Sequence, residues 1–402
     1  MNSALRNYAI ITSSYWAFTI TDGAIRMLVV LYFHLLGYSP FEVAMLFLFY
    51  EFFGIITNLV GGWLGSRIGL NMIMHIGMSM QVFALVLLMA PENWLSVGYV
   101  MFAQALSGIA KDLNKMSAKA SVKTLIPKNE HSDSNLFKWI ALLTGSKNAL
   151  KGLGFFVGAI LMQWLEFRGA LAVLSSGLLM VLISSVILLP SGLGKTKNKP
   201  KFRQVFSKTP AINWLSAARF FLFGSRDVWF VVALPVYLYS VFEWNFSQVG
   251  GFLALWIIGY GIVQSIAPKL IHRDKQHAPN SVTALRWAFA LCIIPAAIAS
   301  GLSTSLNPQW VLITGLIIFG AVFAINSAVH SYLIVALSDQ DKVSMNVGFY
   351  YMANAGGRLT GTVLSGWVYQ VQGLEACLWL SSIFIFIAAL LSFGLSKKTI
   401  TT

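Results

Sequence analysis

Apolar stretches long enough to cross a lipid bilayer recur about every 33 residues along this 402-residue chain. An α-helix rises about 1.5 Å per residue, so roughly 20 apolar residues cover the ~30 Å hydrocarbon core. Twelve such stretches are expected, at 8–34, 41–65, 71–90, 94–119, 136–163, 168–190, 211–240, 246–268, 281–302, 309–336, 344–370 and 374–395. With 57% hydrophobic and only 10% charged residues, a soluble fold of this length could not hide its apolar surface, so lipid has to be the solvent. The fold class that follows is an all-α polytopic membrane protein with twelve transmembrane helices. The first stretch is long and lacks a small-residue cleavage site, which reads as a span rather than a removable leader.

Lysine and arginine orient the spans. With the N-terminus inside, sixteen of them fall on cytoplasmic loops, six between Lys195 and Lys208, whereas the outer loops hold only Arg168. That asymmetry puts both termini in the cytoplasm. The polar linker 191–210 divides the chain into an N-terminal six-helix bundle, 1–190, and a C-terminal one, 211–402. The halves look related: Asn148 and Ala149 match Asn354 and Ala355 at an offset of 206, as do Leu153 with Leu359 and Ala170 with Ala376, while Asp22 and Asp227 are 205 apart. A shared offset near half the chain length is expected of parallel repeats. Between the second and third spans, Gly62, Gly65, Arg67 and Gly69 form a degenerate glycine–aspartate–arginine signature with Ser66 at the usual aspartate. Gly145, Gly154 and Gly158 match the spacing of an antiporter motif whose proline is Ala159 here. In these features, and in its basic central loop, the chain resembles the major facilitator superfamily. That resemblance implies two pseudo-symmetric six-helix bundles, with the third helix of each triplet outside and the other two lining a central path.

Several functions are excluded. The formal net charge of +14 does not point to nucleic acid, because the basic residues are spread through spans and short loops rather than gathered on a polar domain. Gly194, Lys195 and Thr196 would end a phosphate-binding loop, but Leu189 occupies its first glycine position and the linker has no strand or helix to hold it. With no nucleotide site, transport is expected to be secondary and free of cofactors. Cys292 and Cys377 have neither metal-ligand nor disulfide-framework spacing and read as small apolar filler. No nucleophile–base or metal constellation suggests an enzyme or a receptor.

The informative feature is charge inside the spans. A charge at the bilayer centre costs about 2.5–3.5 kcal/mol on insertion scales, so such residues face protein or water. Lys119, Lys138 and Arg286 lie near cytoplasmic ends and are expected to snorkel. Arg219 is intermediate in depth, and seven central cations remain, Arg26, Lys111, Lys115, Lys147, Lys151, Arg226 and Arg358, against four acids, Asp22, Glu51, Asp112 and Asp227. They fall on spans one, two, four, five, seven and eleven, the helices that the resemblance assigns to the central path. Lys147 and Lys151, like Lys111 and Lys115, are i, i+4 and project from one face. Asp22 with Arg26 and Asp112 with Lys115 are candidate helix-local ion pairs. At least three cations stay unmatched, which suits a multiply charged anion gripped by Lys and Arg. Asp22, Glu51 and Asp227 are the candidate proton carriers for antiport, Glu51 first because no cation lies at i±3 or i±4. His330 reads as a buried, hydrogen-bonded histidine, with a relay or anion contact as the alternative.

Four strings, YWAFTITDGAIRMLVV from Tyr15, GIAKDLNKMSAK from Gly108, GSKNALKG from Gly145 and RDVWFVVALP from Arg226, resemble the ArsJ family of organoarsenical efflux permeases, and the likeness extends over nearly the whole chain. It implies a monomeric transporter of the bacterial inner membrane that exports 1-arseno-3-phosphoglycerate and confers arsenate resistance. A partner glyceraldehyde-3-phosphate dehydrogenase would make that compound from arsenate. Trivalent arsenic would call for clustered thiolates, whereas such an ester calls for Lys and Arg. An organophosphate/phosphate antiporter, with arginines on its first and seventh helices as Arg26 and Arg226 are here, is the main rival.

Overall fold

A computed structural model describes residues 3–37, 46–125, 132–190, 192–193, 209–244, 246–271, 279–339 and 342–399. The basic cluster from Lys195 to Lys208, and most of the expected linker with it, lies outside the described residues. Every regular element among the described residues is helical. They are α1 (Ser3–Leu35), α2 (Leu48–Ile68), α3 (Leu70–Leu87), α4 (Val97–Leu125), α5 (Ser132–Leu188), α6 (Pro210–Phe230), α7 (Ala233–Ser240), α8 (Phe246–Ile271), α9 (Ser281–Leu302), α10 (Pro308–Ala336) and α11 (Val343–Thr399), with a 3-10 turn at Glu92–Trp94. Local chemistry sets several ends. Asn280 and Thr283 form a reciprocal capping box at the start of α9, and Asn307 caps the amides of Gln309 and Trp310 ahead of α10.

Among the described residues, seven helical segments are long and apolar enough to cross a membrane. Four others, α1, α2, α4 and the first arm of α5, are not among them, and each carries charged residues from the set above. Large hydrophobic side chains face outward, for example Phe102, Ile293, Ile317 and Val363. That is the inverse of a soluble surface and the arrangement lipid requires.

At 57 residues each, α5 and α11 would extend about 85 Å if unbroken, far beyond the bilayer. Each is broken once, at Glu166 (φ 56°, ψ −176°) and at Gly373 (φ 77°, ψ −172°). The breaks fall between the stretches expected to be separate spans. Glycine supplies this backbone conformation at no steric cost; Glu166 adopts it against its Cβ.

The chain folds into two compact units. The first comprises Met1–Glu130, Ser146–Phe206 and Asp339–Met352; the second comprises His131–Gly145, Ser207–Ser338 and Ala353–Thr402. In the first, α4 packs against α1, α2 and α3, and an apolar core gathers Ile25, Leu28, Phe33, Val100, Phe167 and Leu171. In the second, α10 packs against α9 and α8, over a core rich in aromatic rings that includes Trp229, Trp256, Phe319 and Phe323.

One crossing in each unit depends on missing side chains. A Cβ at Gly154 of α5 would lie 2.5 Å from the Ile20 carbonyl oxygen of α1, and one at Gly361 of α11 would lie 2.6 Å from the Gly224 carbonyl oxygen of α6. Small residues there let the backbones touch, which is how helices associate where lipid offers no hydrophobic drive. These crossings also set the repeat register. Gly154 with Gly361, Lys151 with Arg358, and the breaks Glu166 with Gly373 are each 207 apart. The apolar identities at 206 are therefore one residue, or about 100° of helix rotation, out of structural register.

Candidate functional site

Each unit places a charged cluster at its glycine crossing. In the first, Asp22 on α1 is buried. Its Oδ2 lies 3.0 Å from Lys151 Nζ on α5, and its Oδ1 accepts from the Tyr50 hydroxyl on α2. Glu51 on α2 accepts from Arg26 Nη2 at 2.8 Å and lies 3.5 Å from Lys111 Nζ on α4. Asp112 takes Lys115 and, at 3.8 Å, Lys111. The Tyr50 ring sits between two cations, with Arg26 Cζ at 4.1 Å and Lys111 Nζ at 3.8 Å from its centroid. Cation–π attraction supports both charges in a desolvated setting.

Two expectations change here. Arg26 and Asp22 were candidate partners one turn apart, but Arg26 binds Glu51, and Asp22 takes Lys151 and Tyr50. Glu51 was singled out as lacking cations on its own helix; two cations reach it from α1 and α4. Spacing along one helix is blind to neighbours across a packed interface. Asp112 and Lys115 pair as their i, i+3 spacing suggests. Lys147 is half-buried on α5, one turn before Lys151.

The second unit repeats the motif with arginine. Asp227 on α6 is wholly buried, and its Oδ1 accepts from Arg226 Nε at 2.7 Å and Nη2 at 2.5 Å. Its Oδ2 accepts from Arg358 Nε on α11 at 3.0 Å. Asp22 on α1 and Asp227 on α6 thus each meet a cation on a long broken helix, at 3.0 Å both times. Arg226 lies 5.2–5.7 Å from the rings of Phe223, Phe230 and Phe323, an apolar wall that strengthens its field.

Exposure separates the signs. The side chains of Asp22, Asp112 and Asp227 are 0–3% exposed, whereas Arg26, Lys111, Lys115, Lys151, Arg226 and Arg358 are 10–27% exposed. Most carboxylates therefore stand behind the cations, and the accessible face is positive. Glu51, at 20%, is the exception.

Some partners were not legible in sequence. Lys119 does not snorkel: it is buried and donates to the Tyr351 hydroxyl at 2.8 Å, with Lys115 Nζ 4.3 Å from the same ring. Lys138 and Arg286 are exposed. Arg219 on α6 is also buried; its Nε donates to Asn354 Oδ1 at 2.8 Å and its Nη1 to Ser327 Oγ at 3.2 Å. Tyr50 and Tyr351 had no signal, because tyrosines and phenylalanines are frequent throughout the spans. His330 departs from the expectation of a hydrogen-bonded histidine: its Nδ1 is buried with no hydrogen-bond partner. Cys377 lies in the second unit's core and Cys292 Sγ lies 3.4 Å from Ser382 Oγ; neither forms a disulfide.

No curated protein matches the sequence significantly. Among solved structures, the human organic anion transporter MFSD10 superposes with a TM-score of 0.74 at 16% identity, over 96% of this chain and 99% of that one. The Escherichia coli fucose:proton symporter does so at 0.73 and 11%, over 98% and 99%. A bacterial homologue of the iron transporter ferroportin, in its outward-facing state, gives 0.74 and 14%, over 98% and 100%. At these identities the likeness concerns the fold alone, a fold these transporters share while carrying unlike cargo. The family profile described as Major Facilitator Superfamily matches residues 11–326; with helices long and apolar enough to cross a membrane and charges paired across them, the chain belongs to that superfamily of multi-pass membrane transporters.

Proposed function

We propose that this transporter exports an anionic organoarsenical ester, 1-arseno-3-phosphoglycerate, by proton-coupled alternating access across the bacterial inner membrane. The observation that carries the reading is the accessible positive face in each unit. Seven cations, Arg26, Lys111, Lys115, Lys147, Lys151, Arg226 and Arg358, meet four carboxylates, three of them buried behind. An incoming dianion gains from the excess charge without confronting those carboxylates, and the arginines offer planar forks to phosphate-like oxygens. The ArsJ-like strings supply the name of the anion, since they contain Asp22, Arg26, Lys111, Asp112, Lys115, Lys147, Lys151, Arg226 and Asp227. The cysteines support an ester over trivalent arsenic, because each sits singly among hydroxyl or carbonyl neighbours.

In this reading each long helix counts as two crossings and α6 with α7 as one, giving twelve, in halves 1–190 and 211–402 joined by 191–210, with both termini cytoplasmic. The protein acts as a monomer beside a glyceraldehyde-3-phosphate dehydrogenase that makes its substrate. Glu51 is the first proton carrier, because its carboxylate is accessible and its two cations are ones the anion would compete for; Asp22 and Asp227 are the others. The test is arsenate tolerance of a sensitive strain carrying both genes. Neutralising Lys147, Lys151, Arg226 or Arg358 abolishes tolerance while the protein still reaches the membrane. Full tolerance in most of these variants would remove the site assignment.

The placement of Arg26 and Arg226 favours a second reading, an organophosphate/phosphate antiporter. Uptake of labelled 3-phosphoglycerate by cells given no arsenate would select it.

A further inference from the structure

Beyond the Asp227 cluster, the second unit holds a buried polar group that the proposed transport site leaves unused. Arg219 on α6, Gln264 on α8, and Asn326, Ser327 and His330 on α10 are all 0–2% exposed. Ser327 Oγ lies 3.2 Å from both Arg219 Nη1 and Gln264 Nε2 and ties the three helices together. Arg219 also sits 3.7 Å from the Phe223 ring centroid, in an apolar setting. His330 follows Asn326 by four residues and Ser327 by three, so the three share one face of α10. Both side-chain heteroatoms of Asn326 and the Nδ1 of His330 are buried without a hydrogen-bond partner. Leaving such groups unmatched is costly, and buried polar atoms in folded proteins nearly always find partners.

We propose that Arg219, Gln264, Asn326, Ser327 and His330 form a second anion subsite, specific for an oxyanion. The available chemistry is mostly donors, a guanidinium, two amides, an imidazole N–H and a hydroxyl, around one fixed positive charge. The oxygens of a phosphoryl or inorganic phosphate group accept from these donors together, as the neutral Asn354 and Ser327 oxygens accept from Arg219 now, and the P–OH of a monoprotonated phosphate donates to Asn326 Oδ1. Arg219 precedes Arg226 by seven residues, two turns on the same face of α6, so the subsite lies about 10 Å along that helix from the Asp227 cluster. It requires neither an arsenical nor a direction of transport.

The chain contains only six histidines, so ring-labelled histidine gives a local reporter. Full-length protein in lipid nanodiscs is titrated with inorganic phosphate and, separately, with 3-phosphoglycerate, while the His330 resonance is followed by NMR; His330→Gln identifies it. The subsite predicts a saturable His330 shift that survives in Arg226→Gln/Asp227→Asn/Arg358→Gln, with a midpoint raised about tenfold by Arg219→Lys, as for one weakened hydrogen bond to a charged group. The probe with the lower midpoint tells whether free phosphate or an ester is the natural occupant. No shift in the wild-type protein overturns the proposal outright, whatever the stability of the variants, and so does a midpoint that Arg219→Lys leaves unchanged. A shift lost in the triple variant also overturns it, by assigning the response to the Asp227 cluster. A shift retained there beside lost arsenate tolerance leaves both sites standing.

Discussion

Replacing Lys151 by glutamine separates what the Asp22–Lys151 pair does for the fold from what it does for transport. Asp22 is 3% exposed and lies 3.0 Å from Lys151 Nζ, so the single substitution leaves a buried carboxylate without its cation. Breaking a buried pair from one side costs roughly 3–5 kcal/mol, and the Tyr50 hydroxyl that still donates to Asp22 holds the loss near the lower end, about 3 kcal/mol. Replacing both partners, Asp22→Asn with Lys151→Gln, removes the stranded charge and returns most of that stability, because the neutral amides can still bond to each other and to Tyr50. The ammonium that would meet an anion does not return. Thermal unfolding of the purified variants in one detergent, beside arsenate tolerance of cells expressing them, reads the two effects apart. The single variant should be clearly less stable, the double variant close to wild type, and neither should transport. A double variant that confers full tolerance would refute the assignment of Lys151 to substrate, and a single variant as stable as wild type would refute the pairing.

Three further outcomes are expected. Glu166→Gly should raise stability by about 1–2 kcal/mol, since glycine relieves a backbone conformation costing about 1–3 kcal/mol for glutamate and already stands at the matching break as Gly373; the unfolding midpoint measures it, and a lower one refutes the strain. Gly154→Val should separate α1 from α5, because its Cβ would lie 2.5 Å from the Ile20 carbonyl oxygen, and wild-type expression with wild-type transport would count against that crossing. Glu51→Gln should insert normally yet lose transport driven by a pH gradient in inverted vesicles, and retained gradient-driven transport would rule Glu51 out as the proton carrier.

The charged residues were legible in sequence as residues, because a lysine inside an apolar helix is conspicuous against its neighbours. Their partners were not. Glu51 looked isolated on α2 and proves to be held by Arg26 and Lys111 from two other helices. Lys119 looked able to reach the membrane surface and is instead folded inward onto Tyr351. Arg219 gave no hint of the asparagine and serine that hold it. The repeat shows the same divide, since apolar identities at an offset of 206 suggested kinship between the halves while the backbone crossings at Gly154 and Gly361 set the register at 207.

By itself the amino-acid sequence determined the solvent, the helical class, the placement of most spans and the excess of positive charge within them. Each follows from hydropathy and helical rise, quantities that accumulate locally along the chain. Only the tertiary structure decided which acid neutralises which cation, and that three of the four carboxylates lie behind an accessible positive face. One residue turns a helix face by about 100°, so the rotation of each helix against its neighbours selects every ion pair, and that rotation is set by glycine crossings between segments more than a hundred residues apart in sequence.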